Sequence, residues 1–110
     1  MLHLMNSTMM PQPGVYYCNK VSRTKFVKTF NELKDSGWKS YIGYPQLAKL
    51  LFDLLKVEIK VSREITRLKD GDVILAARLP YRVDPGEKGN RKHGSKITDY
   101  EFFVVGYSKK

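Results

Sequence analysis

Ser40-Tyr41-Ile42-Gly43-Tyr44-Pro45 sets a glycine, a proline and two phenols at the mouth of an apolar helical pattern. The amides that open a helix lack partners within it, and the helix dipole adds partial positive charge there. An anion is at home in such a place. Gly43 lets a ligand come close to the backbone, and Ser40 and Tyr44 can add hydroxyl donors. The plainer alternative makes Gly43 a turn residue and Tyr44 an ordinary half-buried aromatic. Spacing alone leans toward that alternative.

Three arginines extend the search. Arg63 ends an alternating stretch, and Arg82 follows the most apolar run, in Leu79-Pro80-Tyr81-Arg82-Val83-Asp84-Pro85-Gly86. A guanidinium presents a planar fork that matches phosphate, although a solvated surface arginine is the commoner case. Arg78 interrupts that apolar run and either snorkels from a sheet or pairs with a carboxylate. A basic stretch holds Lys88, Arg91, Lys92, His93 and Lys96, which attracts phosphate by its field alone. His3 and His93 have no cysteine or second histidine at ligand spacing, so no metal site is expected. No phosphate-binding glycine loop or dinucleotide fingerprint occurs, nor an ordered Ser-His-Asp set. No helix carries the dense basic face of a groove-reading DNA binder.

The elements that must hold these groups follow from periodicity. Leu2–Met5 is a short apolar strand, broken by Asn6-Ser7-Thr8, and Pro11–Gly14 is a turn. Val15–Cys18 has strand propensity. Ser22 caps a helix carrying Phe26, Val27, Phe30 and Leu33 on one stripe, which Asp35-Ser36-Gly37 ends. Pro45–Leu55 is the clearest helix, with Leu47, Leu50, Leu51, Leu54 and Leu55 on a broad face and proline where a first-turn amide is not needed. Val57–Ser62 alternates as a half-buried strand, Lys69–Asp72 is a turn, and Val73–Leu79 is a central strand. Pro80–Lys96 is a long polar loop, and Tyr100–Tyr107 is the last strand. Five strands and two helices give one α/β (α+β) domain spanning 1–110, a mixed sheet with helices mainly on one face.

A chain of 110 residues suits one domain. Twenty Lys+Arg against eleven Asp+Glu give a net charge of +9, which favours anionic partners. The lone Cys18 excludes an internal disulfide and is expected to be a small, partly buried residue in a reducing compartment. No apolar run reaches membrane-spanning length, and the start lacks the basic and apolar regions of a signal peptide. The expected location is the cytoplasm.

The ordered segments LHLMNS, SYIGYPQLAKLLFDLL, VEIKVSR and KDGDVILAARLPYRV resemble those of a family of small anti-CRISPR ring nucleases from archaeal viruses and phages. Members read Leu-Asn-Ser near the start, Ser-x-Ile-Gly-His before a helix, Asn-Arg after a strand, and Gly-Asp before a strand followed by Arg-Leu-x-Glu-Gly. The likeness runs from Leu2 to about Gly86. It implies a twofold dimer with a mixed five-stranded sheet, binding cyclic tetra-adenylate across the dimer. It also implies cleavage without metal or cofactor, by a ribose 2′-hydroxyl attacking the adjacent phosphate.

Carried onto this chain, the resemblance makes Asn6, Ser7, Ser40, Ile42, Gly43, Tyr44, Arg63 and Arg82 ligand-binding residues, with Tyr44 and Arg82 the catalytic candidates. Tyr44 stands where the family has its histidine, and Pro85, between Asp84 and Glu87, where it has its glutamate. A phenol with a pKa of roughly 10 exchanges protons poorly at neutrality, against roughly 6.5 for imidazole. Losing a general acid costs about 10²–10⁴ in rate. The expected function is therefore host counter-defence by sequestering a cyclic oligonucleotide or cyclic dinucleotide, or degrading it slowly. The alternatives are an active ring nuclease, using Tyr44 or His93 as acid with Asp84 or Glu87 in the glutamate's place, and plain binding of long nucleic acid. A structural or protein-interaction module is the remaining class.

Overall fold

The computed structural model describes residues 1–7, 12–64, 66–79 and 96–109. Five strands, β1 (Leu2–Met5), β2 (Val15–Val21), β3 (Trp38–Tyr41), β4 (Val73–Arg78) and β5 (Glu101–Ser108), form one sheet in the order β2-β5-β4-β1-β3. β1 runs parallel to both β3 and β4, while β5 is antiparallel to β4 and β2. The expected mixed five-stranded sheet is present. One of its strands is not the expected one.

Val57–Ser62 makes no ladder; its backbone pairing is a single bridge between Ile42 and Val61, and Ile59 packs into the core beside the sheet. Its alternation is real, with Ile59 buried between exposed Glu58 and Lys60. Alternation records one side of an extended chain lying on a core, and it does not record a hydrogen-bonded neighbour. The fifth strand is instead β3, where Trp38 and Ser40 face one side and Lys39 and Tyr41 the other. The expected Val15–Cys18 strand continues to Val21, because β5 offers partners along its whole length. Cys18, expected to be partly buried, is exposed on this edge strand.

Helix α1 (Arg23–Leu33) begins as its sequence requires. The Ser22 hydroxyl accepts the Lys25 N–H at 3.1 Å. A short 3-10 turn over Lys34–Ser36 follows, and Gly37 takes φ +98 before the chain enters β3. Helix α2 (Pro45–Leu55) ends at Lys56, which adopts a left-handed conformation and returns its N–H to the Phe52 carbonyl.

Both helices lie on one face. Phe26 and Phe30 of α1 and Leu47, Leu51 and Leu55 of α2 meet Leu2, Leu4, Leu75, Ala77 and Phe102 of the sheet. The opposite face carries a second apolar layer of Met5, Ile74, Ala76, Phe103, Val105 and Tyr107, closed by Leu68. Gln12 ties Leu68 down: its side-chain oxygen accepts the Leu68 N–H at 2.8 Å, and its amide donates to the Leu68 carbonyl at 2.9 Å. Arg78 both snorkels and pairs, lying 4.7 Å from the centre of the Phe103 ring with its Nε 3.8 Å from Glu101.

Candidate functional site

Because β1 and β3 are adjacent and parallel, their C-terminal ends emerge side by side, with Met5 in register with Tyr41. The residues that follow therefore meet. Asn6 Oδ1 accepts the Gly43 N–H at 3.0 Å. From the other side, the Arg63 Nε–H donates to the Gly43 carbonyl at 3.2 Å. The Ser62 N–H reaches the Ile42 carbonyl at 2.8 Å and brings Arg63 into place. Gly43 is thus held at both ends of its backbone by residues far apart in the chain. Among the described residues Arg63 makes no other hydrogen bond or ion pair, so its terminal amino groups remain for a ligand.

Tyr44 is the N-cap of α2 and gives it no side-chain hydrogen bond; Pro45 is the first helical residue. The N–H groups of Gln46 and Leu47 consequently have no partner within the helix. Tyr44 is 59% exposed, so its phenol stands open at this mouth. Ser40 and Ile42 serve the site from within. Ile42 is fully buried, and the buried Ser40 hydroxyl accepts the Ile42 N–H at 3.3 Å. Asn6, Gly43, Tyr44 and Arg63 form the rim, Tyr44 and Arg63 exposed and Asn6 and Gly43 half-buried, as is Ser7 after Asn6. Arg82, Asp84, Pro85, Glu87 and His93 lie outside the described residues.

Two sets of polar contacts elsewhere on the sheet were not read from the sequence. Lys39 pairs with Glu64 at 2.8 Å, and that hydrogen bond and charge hold the Glu64 carboxyl below its ordinary range. Lys39 also lies 5.4 Å from the centre of the Tyr41 ring, which stacks on His3. His3 is 2% exposed, and its Nε2 stands 2.8 Å from Asp72 Oδ2. Asp72 also accepts the Lys69 N–H at 2.8 Å and contacts the Met1 amino group at 2.9 Å. Burial works to raise the Asp72 carboxyl, but these three partners outweigh it and hold it low. The usable signal was a histidine inside an apolar strand, since a buried imidazole needs a polar partner. Among the described residues no cluster of three or more His, Cys, Asp or Glu side chains suits a metal ion. Among them, too, no helix is long and apolar enough to cross a membrane.

The fold is similar to that of B116 of Sulfolobus turreted icosahedral virus. That likeness has a TM-score of 0.70 and 18% identity, covering 94% of this chain and 97% of that one. In sequence, the chain is 30% identical over 88 residues to Uncharacterized protein 26 of Sulfolobus islandicus filamentous virus (isolate Iceland/Hveragerdi). That match spans 79% of this chain and 75% of the relative. The STIV B116-like family matches residues 2–107. With nearly the whole length matched, the chain belongs to the STIV B116-like family, a family of small archaeal virus proteins.

Proposed function

We propose that the chain binds a cyclic oligonucleotide second messenger at the ends of β1 and β3, and blunts host defence by sequestering it or degrading it slowly. The observation that carries this reading is the doubly held Gly43, set directly before an uncapped helix start. Fixing Gly43 from both sides holds the helix start that follows, so the Gln46 and Leu47 amides need no further ordering on binding. Arg63 adds a guanidinium whose Nε is already anchored, so less side-chain freedom is lost when its fork meets a phosphate. The resemblance to ring nucleases supplies the ligand class, and a twofold dimer would present two such rims to one ring.

Calorimetric titration with cyclic tetra-adenylate tests the reading. Saturable binding that weakens about tenfold to a hundredfold in Arg63→Ala supports it. Absence of binding to any cyclic oligonucleotide or cyclic dinucleotide overturns it. Sedimentation of the complex reports whether two chains share one ring.

The open phenol of Tyr44 favours a second reading, an enzyme assisted by that hydroxyl. Orientation alone accelerates an internal 2′-hydroxyl attack, and a phenol can donate a hydrogen bond to the phosphate. Chromatography of products after long incubation separates the two. Linear fragments that vanish in Tyr44→Phe indicate the enzyme, and an intact ring at stoichiometric occupancy indicates sequestration.

A further inference from the structure

A second surface lies on the helical side. A shallow groove of about 800 Å³ runs between the helices, lined by Arg23, Thr24, Val27, Lys28, Asn31 and Leu54 and edged by Glu32. The α1 residues follow one another at three- and four-residue steps, so they share one face. Val27 and Leu54 form an apolar floor, and Arg23 and Lys28 stand above it. Among the described residues neither cation is paired with a carboxylate. Arg23 and Lys25 occupy the first turn of α1, with no acidic residue to offset them. The helix's own amides already concentrate positive charge there, so this placement works against the helix.

We infer that this groove docks an acidic amphipathic segment of a partner protein, its carboxylates meeting Arg23 and Lys28 and its apolar side chains resting on Val27 and Leu54. An apolar floor with a charged rim suits a peptide laid into a groove. Nucleic acid suits it less well, because no aromatic ring lines the groove for a base to stack on. The groove is also separate from the rim at Tyr44. Leu54 is ten residues along α2, about 15 Å at the helical rise, so a ring bound at the helix start leaves the groove open.

The test titrates isotope-labelled full-length chain with three probes: a synthetic peptide bearing Glu and Leu at helical spacing, its Lys/Leu counterpart, and oligothymidylate. The Glu/Leu peptide is expected to move the amide signals of Val27, Lys28, Asn31 and Leu54 and to saturate. The Arg23→Glu/Lys28→Glu pair is expected to weaken it by about tenfold or more, with the melting temperature held or raised, since an acidic residue suits the first turn. The milder Arg23→Gln/Lys28→Gln pair should show an intermediate loss, which guards against a fold defect in the reversal. Undiminished peptide binding in both variants overturns the inference. So do shifts scattered over the basic surface, equal binding of the Lys/Leu peptide, or tighter binding of oligothymidylate in the groove. Because cyclic tetra-adenylate is not among the probes, the outcome does not depend on the messenger reading.

Discussion

Gly43 sits in an ordinary backbone conformation, and an added Cβ would meet Arg63 Cγ at 3.4 Å, an ordinary contact. Gly43→Ala should therefore melt close to the parent with Arg63 left in place, while its methyl stands between a ligand and the backbone and lowers ligand affinity. Asn6→Ala should behave differently. It leaves the partly buried Gly43 N–H without its acceptor, which costs about 1–3 kcal/mol, and should lower the melting temperature as well as affinity. Thermal melting and calorimetry on the two variants separate the positioning of this peptide from access to it. Gly14 is the opposite case to Gly43. It holds φ +151, and a Cβ there would lie 2.3 Å from the Tyr107 ring. That ring is anchored, since its hydroxyl donates to the Pro13 carbonyl at 2.8 Å and accepts from the Gln12 amide at 2.9 Å. Gly14→Ala should destabilise by about 1–3 kcal/mol, read as a lower urea midpoint.

Among the elements, the stretch from Asn6 to Leu68 shows what local patterns carry. Ser22, Pro45 and the leucine stripe of α2 are read directly from sequence, because caps, first-turn proline and periodicity act within a few residues. β3 was illegible for the same reason. Trp-Lys-Ser-Tyr is four residues long and has no run of β-branched side chains, and it becomes a strand because β1 lies beside it. Val57–Ser62 shows the converse, with strong local alternation and no strand to pair with along its length. At the rim, Gly43, Tyr44 and Arg63 were visible as types in a pattern, but the hydrogen bonds from Asn6 and Arg63 join residues 37 and 20 positions apart. The Gln12 clamp was equally hidden, since a glutamine between two prolines carries no sign of the backbone it will bind. Gln12→Ala should strand both polar groups of Leu68 and loosen the segment that closes the second apolar layer. Faster hydrogen exchange at the Leu68 amide, with the α2 amides unchanged, is the expected result.

For the whole molecule, acid is the informative variable. The Asp72 carboxyl is held low by Lys69, Met1 and His3 despite burial. A carboxyl lowered by folding contributes stability that is fully present above its unfolded pKa of about 3.9 and is lost as pH falls through the folded value. The chain should therefore keep its melting temperature from neutrality to about pH 5 and lose it steadily below about pH 4. Asp72→Asn should melt lower at neutral pH and flatten that acid limb, which a calorimetric pH series measures. The +9 charge works in the same direction, since protonating carboxylates adds to self-repulsion.

The position of β1 between β3 and β4 governs how the molecule is made. Leu2 pairs with Trp38 on one side and Val73 on the other, so the earliest strand waits for neighbours that follow it by dozens of residues. Closing such distant pairings before any of them is rewarded is slow, on the order of milliseconds to seconds rather than microseconds. A nascent chain stopped before Val73 has an unsatisfied central strand, and Leu-His-Leu-Met then offers itself to other chains. Assembly is thus concentrated in the moment when β4 and β5 arrive, and a ribosome stall ahead of that point would leave an aggregation-prone fragment in place of half a protein.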